Sequence, residues 1–310
     1  MAEPTPIVFT GRIDAEETAL WLKALRIALP QARIVTPDEA VPETVEVVIA
    51  ANPDPAELRR FPRLKWVHSV WAGVERLMAE LPEVLPVVRL IDPELSRVMG
   101  EAVLTFALYL QRDVPAYARQ QRQQLWEQRP YRAPQEMTVG VLGLGEMGRA
   151  AAGRLGEAGF GITGWSRTPC AMAFETFHGD AGLETVLRRS DIVVCLLPLT
   201  PGTRGLLDAQ RLSWMREGAA LINFGRGAIV DAEALYQALD THLSHAVLDV
   251  FATEPLPESS PLWTHEKVTV LPHISAPTNV ETAAAIVAGN IRDWIATGRM
   301  PEAVDRQRGY

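Results

Sequence analysis

Arg226, Glu254 and His273 are the residues whose types and placement point to chemistry. Arg226 lies in Leu221-Ile-Asn-Phe-Gly-Arg-Gly227, Glu254 in Leu248-Asp-Val-Phe-Ala-Thr-Glu-Pro255 and His273 in Val270-Leu-Pro-His-Ile-Ser275, and each follows a short apolar run that reads as a strand. Open α/β sheets bind ligands outside the carboxyl ends of their strands, so three such ends can converge on one ligand. A guanidinium can clamp the carboxylate and ketone oxygen of a 2-keto acid. An imidazole can deliver a proton to that oxygen as hydride reaches the carbon, and a carboxylate can orient the imidazole and favour its charged form. Taken singly, each has an ordinary reading: a helix-capping Arg, a turn carboxylate before Pro255, a histidine satisfied by a backbone carbonyl. Their common placement after a nucleotide-binding signature argues for a site that reduces a ketone.

That signature is Thr138-Val-Gly-Val-Leu-Gly-Leu-Gly-Glu-Met-Gly148, an apolar strand running into Gly143-Leu144-Gly145-Glu146-Met147-Gly148 and then into a helical run. Gly143 permits the tight turn, Gly145 lets the backbone approach a pyrophosphate, and Gly148 lets the helix lie close to the strand. The anion then meets free N–H groups at the helix N-terminus. The next strand, Phe160 to Trp165, ends in Ser166-Arg167-Thr168, where an NAD enzyme would place an acidic residue for the ribose hydroxyls. Without a carboxylate to repel a 2′-phosphate, and with a hydroxyl to donate to it and a guanidinium to grip it, the loop predicts NADPH as cofactor.

Around these residues the 310-residue chain alternates strands and helices. It is 47% hydrophobic and 22% charged, enough for two cores. Strands Ile7–Phe9, Ile34-Val35, Val45–Ala50, Trp66–Val70 and Val87–Ile91 with a helix from Glu16 to about Leu29 predict a small α/β layer. A long helical region, Ser96 to about Glu127, follows, its first half read as linking two domains. From Met137 the alternation restarts: strands to Leu142, to Trp165, Ile192–Leu196, Ala220–Asn223, Ala246–Val250 and Val268–Leu271, with helices Gly182–Arg189, Ala209–Met215 and Ala232–Asp240. A last helix, Asn279–Thr297, would return to the first domain. The expected architecture is α/β with two doubly wound parallel sheets: a Rossmann nucleotide-binding domain over 101–276, inserted into a smaller flavodoxin-like substrate domain made of 1–100 and 277–310.

The net charge of -8 gives no basic footprint for nucleic acid, so local positive groups must hold an anion against the mean field. No apolar run approaches a bilayer span, and Met-Ala-Glu-Pro-Thr-Pro at the start lacks the basic region of a signal peptide, which predicts a cytoplasmic protein without a membrane partner. Cys170 and Cys195 read as buried, inert thiols rather than a disulfide or metal pair.

Over nearly its full length the chain resembles the D-2-hydroxyacid dehydrogenase family. The resemblance rests on Leu197-Pro-Leu-Thr-Pro-Gly-Thr-Arg-Gly205, Asn223-Phe-Gly-Arg-Gly-Ala-Ile-Val-Asp231, Leu248-Asp-Val-Phe251 with Glu254-Pro-Leu-Pro257, and Pro261-Leu-Trp263 followed by Pro272-His273. The segments Trp165-Ser-Arg167, Gln121-x-x-Gln124-Leu-Trp126 and Arg308-Gly-Tyr310 are similar to the branch that reduces glyoxylate to glycolate and hydroxypyruvate to D-glycerate with NADPH. The resemblance implies that Arg226 binds substrate, Glu254 partners the histidine and His273 is the acid/base. It also implies that Asp249 holds the nicotinamide amide and that Pro198, Thr203 and Ser275 line the cofactor.

The family holds the substrate carboxylate with backbone amides of a Gly-Ala-Gly-Val-Asp loop, matched here by Trp71-Ala72-Gly73-Val74-Glu75. Trp71, where Gly is common, either narrows the pocket to short keto acids or packs beneath the loop. The segment Pro115–Arg132, with Tyr117, Leu125 and Trp126, resembles the family's dimer arm, so a homodimer is expected. The chain stops at Tyr310 without the regulatory extension common in phosphoglycerate dehydrogenases, and Glu254 opposes formate dehydrogenase, which pairs its His with Gln. The alternatives are a dehydrogenase for another D-2-hydroxy acid, or a nucleotide-sensing corepressor of the same fold.

Overall fold

The computed structural model describes residues 6–306, 308 and 309, so Gln307 and the terminal Tyr310 of the Arg308-Gly-Tyr310 segment lie outside the described residues, as do the first five. In chain order the first elements are β1 (Ile7–Gly11), α1 (Ala15–Ala28), β2 (Ile34–Val35), β3 (Val47–Ala51), α2 (Pro55–Leu58), β4 (Trp66–Ser69), α3 (Glu75–Glu80) and β5 (Val87–Val88). Then come α4 (Pro93–Gln111), α5 (Val114–Arg122), β6 (Thr138–Leu142), α6 (Glu146–Glu157), β7 (Gly161–Ser166), β8 (Glu175–His178), α7 (Gly179–Arg189), β9 (Ile192–Cys195) and α8 (Ala209–Ser213). The chain continues through β10 (Ala220–Asn223), α9 (Ala232–Thr241), β11 (His245–Leu248) and β12 (Val268–Val270) to α10 (Val280–Thr297). It divides into two compact units, one running to Glu94 and resuming at Thr278, the other spanning Leu95–Pro277.

The first unit is a five-stranded sheet in the order β2-β1-β3-β4-β5, parallel throughout, which is the flavodoxin-like winding. All five residues of β3, Val-Val-Ile-Ala-Ala, are buried, the continuous apolar run expected of a strand covered on both faces. Helices α1 and α10 pack on one face, placing Trp21 and Leu25 against Ala283, Val287 and Ile291. Asp14 caps α1 by accepting from the Glu17 amide at 2.8 Å, and Asn279 caps α10 by accepting from the Glu281 amide at 2.9 Å.

The second unit is a seven-stranded parallel sheet in the order β12-β11-β10-β9-β6-β7-β8. The strand order reverses between β6 and β9, the switch point at which doubly wound sheets bind dinucleotides. Here the structure adds what the sequence pattern does not reveal. Edge strand β8, Glu-Thr-Phe-His, is too polar and short for an apolar period to mark it. The expected long helix is two, α4 and α5. Asp113 breaks it in the left-handed region (φ 54°), and Pro115 starts the next turn, while 124–133 form no helix. In that stretch Trp126 is 97% exposed, with Leu125 and Tyr131 also exposed.

Cys195 is fully buried in β9, where burial pushes its thiol up to about 12. Cys170 departs from the expected buried thiol: it is half-buried, with its Sγ 3.3 Å from the Ser166 hydroxyl. Among the described residues no helix is long and apolar enough to cross a membrane.

Two buried histidines make stability depend on pH. Burial pushes His68 in β4 from its ordinary 6.5 down to about 4. It pushes His245 in β11 down to about 3, with Arg119 and His265 adding to the effect. Both rings are neutral in the fold, whereas the unfolded chain takes up protons near 6.5. Their contribution is therefore fully present above that pH and is lost as pH falls towards 4 for His68 and 3 for His245. Each costs about 1.4 kcal/mol per pH unit within its window. The urea midpoint should fall between pH 7 and pH 5, and His68→Asn should flatten that fall. An identical decline in the variant would exclude His68 as a source.

Candidate active site

In the second unit the Gly-rich turn has the shape of a phosphate cradle. Gly143 takes φ 100°, and a Cβ on Gly148 would lie 1.8 Å from the Gly143 carbonyl oxygen, so only glycine lets α6 start this close to β6. A Cβ on Gly145 would meet nothing within 4 Å, so the turn faces open space. No side chain caps α6, which leaves its first-turn amides, those of Glu146, Met147 and Gly148, without a capping acceptor. These residues fit a pyrophosphate bound by backbone donors and the helix dipole.

At the end of β7 the Trp165 indole N–H donates to the Gly179 carbonyl at 2.9 Å, anchoring the strand end. Ser166, expected to donate to a 2′-phosphate, donates instead to the Thr168 carbonyl at 2.6 Å. It shapes the turn, on which the side chains of Arg167 and Thr168 are exposed. Thr203 is likewise engaged: its buried hydroxyl donates to the Pro198 carbonyl at 2.7 Å and accepts from the Thr200 amide at 2.8 Å, so Pro198 and Thr203 form one closed turn after β9.

The three chemistry-bearing residues follow β10, β11 and β12. His273 Nδ1–H donates to Glu254 Oε2 at 2.8 Å, which leaves Nε2 as the nitrogen that can hold or pass a proton. The other carboxylate oxygen of Glu254 accepts from the Phe251 amide at 2.8 Å. His273 sits in the left-handed region (φ 55°). Asp249 holds it there: this carboxylate, 2% exposed, accepts from the amides of Ile274 at 2.7 Å and Ser275 at 2.9 Å. The expected ligand contact of Asp249 thus comes second to a structural one. The Ser275 hydroxyl is buried without a hydrogen-bond partner among the described residues, which fits a polar group of a bound ligand.

Arg226 is half-buried and its turn is set by Asn223, whose side chain accepts from the Gly225 amide and donates to the Arg226 carbonyl, both at 3.2 Å. A Cβ on Gly227 would lie 1.9 Å from the Phe251 carbonyl carbon, so the Arg226 and Glu254 turns are pressed together. Asn223 and Gly227 carry no chemistry that their types alone announce. The Asn-x-x-Arg-Gly spacing is their only signal in the sequence.

In the first unit, Trp71 to Val74 join β4 to α3. Among the described residues no hydrogen bond from the amides of Ala72, Gly73 or Val74 is found, leaving three donors for an anion. Trp71 is half-buried and packs against the core that holds Phe9, Trp21 and Val287.

Residues 104–275 match the family described as D-isomer specific 2-hydroxyacid dehydrogenase, NAD binding domain. The chain is 34% identical over 304 residues to glyoxylate/hydroxypyruvate reductase A of Yersinia enterocolitica, covering 95% of this chain and 97% of that protein. Among solved structures, it is similar to a D-isomer specific 2-hydroxyacid dehydrogenase from Xanthobacter autotrophicus in complex with NADPH and MES. That similarity has TM-score 0.92 and 41% identity, over 99% of this chain and 100% of that one. It is also similar to an NADPH-dependent glyoxylate/hydroxypyruvate reductase from Sinorhizobium meliloti in complex with NADP and sulfate, with TM-score 0.91 and 30% identity over 99% and 100%.

The two glycines of the cradle separate stability from binding. Gly148→Ala forces α6 off β6 and should lower stability by about 1–3 kcal/mol, the usual cost of overpacking. Gly145→Ala meets open space, so its melting temperature should stay within a degree or two while calorimetric titration with NADPH shows weakened binding. Undiminished NADPH affinity in Gly145→Ala would mean that the dinucleotide does not use this turn.

Proposed function

This chain belongs to the D-isomer specific 2-hydroxyacid dehydrogenase family, and on that premise we propose that it reduces glyoxylate to glycolate and hydroxypyruvate to D-glycerate with NADPH. The observation that carries the reading is the His273–Glu254 pair at 2.8 Å, which directs Nδ1–H onto a carboxylate and keeps Nε2 for proton transfer. When bound, NADPH supplies the hydride to the carbonyl carbon. In the second unit His273 Nε2 gives the proton to the carbonyl oxygen and Arg226 holds that oxygen; in the first unit the amides of Ala72, Gly73 and Val74 are the donors suited to a substrate carboxylate. Trp71, beside those amides, limits the length of the acid. Glu254 keeps the imidazole oriented, and Asp249 keeps its turn closed.

The strand end at Ser166-Arg167-Thr168, without a carboxylate, supports NADPH over NADH. Arg167→Ala removes a charge-assisted contact worth about 1.5–3 kcal/mol. The NADPH/NADH ratio of kcat/KM should therefore fall by about ten- to a hundredfold. An unchanged ratio removes Arg167 from cofactor choice.

The activity itself is tested by NADPH oxidation with glyoxylate, hydroxypyruvate and pyruvate. His273→Asn should lower kcat by about 10²–10⁴, the range for a lost general acid. Near-normal kcat in that variant would reassign the proton to another group, and no turnover by the unaltered protein on any of the acids would favour the corepressor-like reading.

A further inference from the structure

The loop that precedes α3 is tied into the first unit by a buried hydrogen-bond relay. Asn290, on α10, donates through Nδ2 to His68 Nε2 at 2.8 Å. His68 Nδ1–H donates to the Ser69 carbonyl at 2.8 Å. The Ser69 hydroxyl then accepts from the Trp71 amide at 3.0 Å, while the Trp71 carbonyl accepts from the Leu90 amide at 3.1 Å. His68 and Ser69 are both fully buried. With Nδ1 donating and Nε2 accepting, the ring is the neutral Nδ1–H tautomer, in keeping with a burial that pushes it down to about 4.

Two polar side chains buried at the end of an otherwise apolar strand are costly unless every polar atom is paired, and here the pairs join α10 to the loop, Asn290 and His68 donating towards Ser69 and the Trp71 amide donating back to the Ser69 hydroxyl. Trp71 is held at both its N–H and its C=O, and the next three amides have no acceptor among the described residues. A peptide fixed at Trp71 sets the direction of the N–H groups that follow, because each planar peptide leaves only two soft dihedrals per residue.

We infer that His68 and Ser69, backed by Asn290, are positioning residues that aim the amides of Ala72, Gly73 and Val74 at the substrate carboxylate. The inference rests on the proposed keto-acid reduction and deepens it. His68 touches neither substrate nor cofactor: it acts through Ser69. Its loss therefore acts on substrate capture, while proton transfer from His273 and cofactor binding, which belong to the other unit, are left alone.

The test is steady-state kinetics of the full chain with glyoxylate, with NADPH saturating and then varied, on Ser69→Ala, His68→Gln, His68→Asn and Asn290→Ala, each checked by its melting curve. Losing one net hydrogen bond of about 0.5–1.5 kcal/mol corresponds to a change of about two- to tenfold. Ser69→Ala and His68→Gln should raise KM for glyoxylate, and the inhibition constant of oxalate, by that factor, with kcat within twofold and KM for NADPH unchanged. His68→Asn should recover most of the loss, because its amide Nδ2 can stand in for Nδ1 and keep the bond to the Ser69 carbonyl.

Unaltered KM in folded Ser69→Ala, or a loss in kcat or in NADPH KM equal to that for glyoxylate, overturns the inference. If His68→Gln fails to fold, Ser69→Ala and Asn290→Ala decide the matter by the same readouts. Absence of turnover in the unaltered protein would defeat the proposed reaction instead, an outcome distinct from unaltered KM in the variants.

Discussion

A single buried carboxylate holds the chemistry of the second unit in place. Asp249 is 2% exposed and commits both oxygens to the amides of Ile274 and Ser275, the two residues after His273. Burying a carboxylate is costly, and two charge-assisted bonds to backbone N–H groups are what offset it. With them the turn can hold a histidine at φ 55°, aimed at Glu254. The same turn is braced from the other side, because the Phe251 amide fixes Glu254 and Gly227 allows the Arg226 segment to press on the Phe251 backbone. Arg226, Glu254 and His273 therefore form a mechanically linked set rather than three side chains that happen to be near.

The chain carries a net charge of -8 and its ligands are anionic, so attraction by the mean field is not available. The structure uses neutral donors instead. The uncapped start of α6 offers amides and the positive end of a helix dipole, and the loop from Ala72 to Val74 offers amides without acceptors. Backbone donors need no desolvation of a cation, are held by the sheet that precedes them, and bind phosphate or carboxylate with fixed geometry. In the proposed reaction the side-chain cations, Arg226 and Arg167, would be needed only where shape alone does not distinguish one anion from another.

What is legible in the sequence is whatever has a period or a required residue type. The apolar strands, the glycines of the cradle and the residues following β10, β11 and β12 can be read because a buried parallel strand must be apolar and a turn with no room for a Cβ must be glycine. Strand β8 cannot, since Glu175-Thr-Phe-His178 at a sheet edge needs no apolar alternation. The break between α4 and α5 is hidden in Asp113, whose left-handed backbone is a local choice no helical period reports. Ser166 reads as a phosphate donor by its type and place, yet its side chain closes on Thr168 two residues away, a contact that competes with any ligand. His68 is invisible as a positioning residue: its partners, Ser69 and Asn290, are respectively adjacent and 222 positions distant in the chain.

The rival reading as a nucleotide-sensing binding protein shares the cradle, so the cradle cannot decide between them. The His273 turn bears on it more directly. A histidine at positive φ costs about 1–3 kcal/mol, a strain seldom retained without a use. Asn52, Asp113 and Gln124 also adopt positive φ, but among these four His273 is the one held by a buried carboxylate on the backbone that follows it, Asp249, and by Glu254 on its ring. Sensing a dinucleotide requires neither a fixed tautomer nor a half-exposed imidazole ring. Proton transfer to a carbonyl requires both, so the closed turn held by Asp249 supports the proposed reduction over sensing alone.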